Sequence, residues 1–327
     1  MDRRRLGATL AFLGMAGMWL ASLPATAQDL PRKPITLVVG FAAGGAADAA
    51  ARIVAKKLQD ELGQSVIVEN RAGAGGNVAH QYVAYTAAAD GSVILLGSVG
   101  PLCVAPHLMK VGYDPLKDLV PLTMAVNFPN VLVVRADSGI RSLADYVARA
   151  KAHPGALDFA STGPGSASHL AGELLNQQAG IDAVHVPYKG GAPALQDLLA
   201  GHVASYYSTP ATAEPYIANG KLVAIATTGL VRSAFMPDVP TVAESGYPSF
   251  NATNWYAFVA SARMPAPLAE RWNRELVKAL TAPDVKAELE RHGLTTAPGS
   301  QQDLARVIES EYKAWGALIR DRKIKVE

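Results

Sequence analysis

The sequence predicts an α/β protein folded in two lobes, and three observations predict it. Short apolar runs rich in β-branched residues alternate with helically spaced stretches of roughly 10–15 residues, the mark of βαβ units and mostly parallel sheets. The strands are too many for one small sheet. No Pro/Gly/Ser linker or low-complexity tract interrupts the 327 residues, so the chain is expected to cross between lobes on single extended segments. Phe128-Pro129-Asn130 and Phe250-Asn251-Ala252 are the candidate crossings.

The elements follow in order. Ile35-Thr36-Leu37-Val38-Val39 reads as a buried strand. A Gly-rich turn leads into a helix from Asp48 to Leu62, with Ile53, Val54, Leu58 and Leu62 on one face and Gly63 as its stop. Val66-Ile67-Val68 is a strand, followed by a loop with Gly73, Gly75 and Gly76 and a helix to about Ala89. Strands are expected at Val93–Leu96, Val131–Val134, Asp158–Ser161, Val184–Val186, Val203–Tyr207, Val223–Ala226 and Trp255–Ala260. Helices are expected over 142–152, 167–178, 192–200 and 211–218, then near 267–281, 284–292 and 301–320. Pro267 and Pro283 suit first-turn positions.

Composition removes several function classes. Half of the residues are hydrophobic, 18% are charged and the formal net charge is +2, a globular composition with no basic excess for nucleic acid. One Cys allows neither an internal disulfide nor a Cys-based zinc site. Residues 1–27 read as a secretory leader: Arg3, Arg4 and Arg5, then an uncharged, mostly apolar stretch from Leu6 to Leu23, then Ala25-Thr26-Ala27. Cleavage is expected after Ala27, placing the mature protein outside the cytoplasm. The triple Arg loosely resembles a twin-arginine signal, and the export route stays open. The leader holds Asp2 against three Arg, so of 30 basic and 28 acidic residues the mature chain keeps 27 of each.

Two loops could carry chemistry. Gly40-Phe41-Ala42-Ala43-Gly44-Gly45-Ala46-Ala47-Asp48 and Ser161-Thr162-Gly163-Pro164-Gly165-Ser166-Ala167-Ser168-His169 each join a strand to a helix. Glycines let backbone approach a ligand, and the helix that follows offers unpaired N–H groups and its positive dipole end. Such a pair, one loop per lobe, would grip a small anion without any charged side chain; taken singly, each is also an ordinary strand-to-helix turn. Phosphate-loop, dinucleotide and G-x-S-x-G hydrolase patterns are missing. His169 and Glu173, four apart, are at most half a metal site, and no metal or cofactor is expected. His185 and Cys103 read as core residues. Asp48 either caps the first helix or meets a ligand, and the aromatic residues near 254–256 either pack in the core or line a cleft.

Many ordered matches then resemble one family, the Bug or tripartite tricarboxylate transporter substrate-binding proteins. They include Lys33-Pro34-Ile35-Thr36 leading into Phe41-Ala42-Ala43-Gly44-Gly45, then Val68-Glu69-Asn70-Arg71-Ala72-Gly73, and Tyr113-Asp114-Pro115. His185-Val186-Pro187-Tyr188-Lys189-Gly190, Asp197-Leu198-Leu199 and Pro237-Asp238-Val239-Pro240-Thr241 complete the set. The resemblance implies a type II-like Venus-flytrap fold of the periplasmic binding protein class, with lobes of 28–128 plus 253–327 and of 129–252. It implies a non-catalytic, monomeric receptor that closes on a small di- or tricarboxylate or aromatic acid and presents it to membrane transport subunits. A sensor subunit and, further off, an exported enzyme acting on a carboxylate are the alternatives. Carried over by position, the ligand-binding residues are Phe41, Ala43, Gly44, Asp48, Ser98, Thr162, Gly163, Ser166, His169, Tyr188, Lys189 and Ser208. There are departures from the family pattern. Gly40 replaces a usual Pro, Ala46-Ala47 replaces a hydroxyl-bearing pair, and Ser208 stands where Asp is frequent, which disfavours a ligand whose amine needs an acid there.

Overall fold

The computed structural model describes residues 30–322 and 324, so the expected leader lies outside the described residues. The chain runs β1 (Ile35–Val39), α1 (Ala46–Leu62), β2 (Val66–Asn70), α2 (Asn77–Gln81), β3 (Val93–Ser98), α3 (Ala105–Leu108) and β4 (Leu119–Pro129). It continues β5 (Val131–Arg135), α4 (Leu143–Ala152), β6 (Asp158–Ser161), α5 (Ala167–Ala179), β7 (Val184–Pro187), α6 (Gly191–Ala200), β8 (Ser205–Ser208), α7 (Pro210–Ala218) and β9 (Leu222–Thr227). It ends β10 (Thr253–Ser261), α8 (Ala266–Thr281), α9 (Pro283–Arg291), β11 (Thr295–Thr296) and α10 (Gln301–Arg322).

Two sheets result, one ordered β11-β4-β10-β3-β1-β2 and the other β7-β6-β8-β5-β9. Side chains alternate across a strand, so β1 sends Ile35, Leu37 and Val39 into one apolar cluster and Val38 into another. In β5, Leu132 and Val134 enter one cluster while Val131 and Val133 enter the other. Helices cover both faces of each sheet, which is why these strands read as continuous apolar runs.

The expectation of mostly parallel sheets is corrected: both are mixed. β1 pairs in parallel with β2 and β3, but β10 runs antiparallel to β3 and to β4. In the second sheet β6 is parallel to β7 and β8, whereas β5 is antiparallel to β8 and β9. The chain crosses into the second sheet on β5 and back into the first on β10, and strands entered by such a crossing escape the right-handed crossover that keeps βαβ neighbours parallel; the short β11 also pairs antiparallel, with β4. Sequence patterning also missed β4. Pro121 and Asn127 break its apolar run, and Pro121 pairs with Val259 where the β10 register shifts.

The chain passes from the first sheet to the second at Asn130 and returns through 228–252. The two passages are tied together. The Asn130 N–H donates to Thr228 Oγ1 (2.8 Å), the Thr228 N–H to the Asn130 carbonyl (2.9 Å), and the Ala252 N–H to the Thr228 carbonyl (2.9 Å). The sheets' loops also meet: the Ala42 N–H donates to the Lys189 carbonyl at 3.0 Å, and Ala167 and Leu170 of α5 pack into an apolar cluster of the first sheet. The cleft between the lobes is shut.

Candidate functional site

Between the lobes lies a narrow cavity, partly open to solvent, with about 30 Å³ of water-accessible space. Its walls come from the ends of strands and the starts of helices: Phe41, Ser98, Tyr206, Tyr207, Asn254 and Tyr256 on one hand, Gly45–Ala47, Ser166–Ser168, Gly191, Thr209 and Thr212 on the other, with Thr162 and Asn130. No wall residue is Asp, Glu, Lys, Arg or His. Four helices, α1, α5, α6 and α7, therefore present their first turns to one space. The N–H groups of a first turn have no partner inside their own helix, so the cavity has an excess of donors and a positive potential without a formal cation.

Of the twelve residues carried over from the family pattern, Phe41, Ser98, Thr162 and Ser166 line this cavity. The other eight lie elsewhere. Ala43 and Gly44 are exposed on the first loop, and Gly163 is buried in the second. Asp48 braces the first loop. Its carboxylate accepts from the Gly44 N–H (3.0 Å), Arg52 Nε (3.0 Å) and Asn70 Nδ2 (3.0 Å), and Asn70 also donates to the Phe41 carbonyl. Burial alone would raise the Asp48 carboxyl; the hydrogen bonds from Arg52, Gly44 and Asn70, with the Arg52 charge, outweigh it and hold it below the usual carboxylate range. Tyr188 donates to Asp197 (2.6 Å), Lys189 is exposed and offers only its carbonyl across the cleft, and Ser208 donates to the Thr209 carbonyl.

His169 braces the second loop rather than facing the cavity. Its Nδ1 accepts from the Gly165 N–H (3.2 Å) and its ring packs on His185, centroids 3.9 Å apart. His185 Nε2 lies 2.6 Å from Ser161 Oγ, which accepts from the Gly163 N–H. Desolvation, with the neighbouring His185, pushes His169 down to about 3, and desolvation pushes His185 to about 4. His169 Nε2 is 3.7 Å from Glu173, but among the described residues no group of three or more His, Cys, Asp or Glu could hold a metal. Cys103 is buried in an apolar cluster, and burial raises its thiol, leaving no nucleophile.

Acid should unfold the protein early. Burial holds His80 neutral, at about 4 against 6.5 for a free imidazole, with Nδ1 on the Gly76 carbonyl and Nε2 unpartnered. The unfolded chain binds the proton first, so stability is present above about pH 6.5 and is lost as pH falls toward 4. His80 alone accounts for about 3 kcal/mol over that window, and His169 adds a loss of the same sign. Denaturant melts at pH 7 and pH 4.5 check this; equal midpoints would refute it.

Sequence reasoning missed Asn130, Tyr206, Tyr207, Thr209 and Thr212. The signal for the last four was their place at the end of β8 and the start of α7, where open α/β folds bind ligands. Asn254 and Tyr256 point to the cavity because they are two apart on β10; Trp255 between them is buried on the other face and donates to Glu311 (3.0 Å). Ala46 and Ala47, at the start of α1, both stand in the wall.

Comparison with known proteins agrees with this fold. Residues 50–324 match the tripartite tricarboxylate transporter family receptor, TctC. A UPF0065 protein from the tcbD-tcbE intergenic region of Pseudomonas sp. (strain P51) is 39% identical over 99% of this chain and 96% of its own length. BugT of Bordetella pertussis is 36% identical over the full length of both. The periplasmic binding protein BugD superposes with a TM-score of 0.86 at 31% identity, over 91% of this chain and 100% of that one. An R. palustris protein solved with adipate gives 0.86 at 31% identity over 91% of this chain and 99% of that one. MatC of Rhodopseudomonas palustris, solved with bound malate, gives 0.84 at 31% identity over 88% and 99%. With the two-lobe fold and the donor-rich cleft already in view, these matches show that the chain belongs to the tripartite tricarboxylate transporter receptor family, the Bug-type periplasmic solute-binding proteins.

Proposed function

We propose that the protein is a non-catalytic periplasmic receptor, exported on a leader cleaved after Ala27. It captures a small organic carboxylate, a di- or tricarboxylate or an aromatic acid, for a tripartite tricarboxylate-type transporter. The observation that carries the reading is the convergence of four helix starts on a cavity without ionised side chains. An anion there is held by backbone donors, as helix N-termini hold anions generally. The adipate and malate bound by the two R. palustris relatives support the same ligand class. Residues 28–128 with 253–327 form one lobe and 129–252 the other. They move about the passages at Asn130 and 228–252, and closure gives the membrane subunits a ligand-loaded shape to recognise. Among the described residues no helix is long and apolar enough to cross a membrane.

Thermal melts with malate, adipate, citrate and benzoate test it. A ligand at one hundred times its Kd stabilises by about 2.7 kcal/mol, a rise of several degrees. No shift with any carboxylate, and no carboxylate released on denaturing the purified protein, would refute the reading.

A further inference from the structure

Two donors in the cavity wall are satisfied by nothing in the protein. Asn130 Nδ2 and the Tyr206 hydroxyl are buried without a hydrogen-bond partner of good geometry, on residues 1% and 0% exposed. Ser208 Oγ lies close to Tyr206 but donates to the Thr209 carbonyl and makes no well-formed hydrogen bond with the Tyr206 hydroxyl. A buried donor left unpaired forfeits its water without replacement, so such groups are rare unless a ligand completes them.

The Asn130 amide is held in one orientation. The Trp255 N–H donates to Asn254 Oδ1 (2.8 Å), and Asn254 Nδ2 donates to Asn130 Oδ1 (3.4 Å). This relay consumes the Asn130 oxygen and leaves its NH₂ group as the unspent end. The backbone of Asn130 is pinned by Thr228 at the passage between sheets. Tyr206 is reached from the start of α6, where Gly191 keeps the approach clear: a Cβ there would stand 3.0 Å from the hydroxyl. These side-chain donors are separate from the amides of α1 and α5, which suffice for one carboxylate.

Resting on the carboxylate reading above, we infer that the ligand carries a second acceptor group, a carboxylate or carboxamide, and that Asn130 Nδ2 and the Tyr206 hydroxyl bind it. The same pair sets the specificity. A methyl end leaves both donors unpaired. An ammonium end brings more donors to donors, and no acid in the wall balances its charge. The site is thus built to take diacids and half-amides and to reject ω-amino acids and simple monoacids of equal length. Sites built to hydrogen-bond a ligand group discriminate strongly against analogues that lack it.

Calorimetry with three matched series tests this: succinate, butyrate and 4-aminobutyrate; adipate, hexanoate and 6-aminohexanoate; terephthalate, p-toluate and 4-(aminomethyl)benzoate. In the series that fits, the diacid should bind at least tenfold tighter than either partner. Tyr206→Phe, which keeps the ring, and Asn130→Leu should each collapse the diacid-to-monoacid ratio toward one. Asn130→Asp should lower diacid affinity further and raise that of the ω-amino acid, a reversal that mere misfolding does not produce. Equal binding of diacid and monoacid, or a ratio unchanged in Tyr206→Phe and Asn130→Leu, would overturn the inference and leave the carboxylate reading standing. If none of the nine compounds binds, and malate, citrate and benzoate give no melting shift either, both fall.

Discussion

Ala47→Asp is expected to abolish carboxylate binding while the protein stays folded. Ala47 lies in the first turn of α1, is 3% exposed and stands in the cavity wall. An acid in a helix's first turn is favourable to the helix, because it faces the positive end of the dipole. With the lobes apart, the added carboxylate is expected to reach water and cost little, although Ala47 also borders an apolar cluster. With ligand bound, two like charges stand about 4 Å apart at an effective dielectric of about 20, which costs about 4 kcal/mol. That is a loss of about a thousandfold in affinity. The new side chain also takes up the α1 amides that the ligand needs. Melts without ligand should stay within a few degrees of wild type, and the ligand-induced shift should vanish. A surviving shift would mean that the start of α1 is not the anion site. Gly44 is a poorer place for the same charge. It is exposed and outside the wall, and its φ of +82° suits glycine, so an acid there would disturb the loop without testing the cavity.

Gly100→Ala is expected to hold the cleft open. Gly100 begins a π-helical turn after β3, and a Cβ on it would lie 2.7 Å from the Gly165 carbonyl oxygen and 2.9 Å from Ser166 Cα, both in the opposite lobe. Its φ is not in the left-handed region, so alanine fits its own lobe and clashes only on closure. Gly75 makes a tighter approach, 2.2 Å to the Pro164 oxygen, but its φ of +64° would confound closure with local strain. The alanine at position 100 should leave the ligand-free melt unchanged and weaken ligand affinity at least tenfold, because binding that requires closure loses whatever closure contributes. Small-angle scattering should show compaction on ligand addition in the wild type and none in the variant. Full compaction with unchanged affinity would show that the contact is not part of closure.

How much of this was legible beforehand depended on whether the signal was local. Helix α1 announced itself through Val54, Leu58 and Leu62 on one face, and β1 and β5 through uninterrupted β-branched runs. Strand β4 did not. Its place is secured by antiparallel pairing with β10, over a hundred residues away, and its own residues include Pro121 and Asn127. The two glycine-rich loops were legible as backbone devices, and residues from both reach the cavity wall. The side chains around them were not. Asp48 and His169 carry the chemistry that usually marks a site, yet each spends it on holding a loop. Asn130 looked like a linker residue.

By itself the sequence determined the alternation of strands and helices and two lobes without a flexible linker, and it set the expectation of a mature chain of balanced charge in which backbone dipoles would hold an anion. Those properties follow from periodicity, turn chemistry and counting, which do not depend on what packs against what. The tertiary structure alone decided that the sheets are mixed and that α6 and α7 join α1 and α5 around one cavity. It also decided that Asn130 and Tyr206 are left there with donors unspent. Whether a buried polar group is satisfied depends on partners far away in sequence: Asn254 fixes the Asn130 amide from 124 positions along the chain. Only the folded arrangement closes that account.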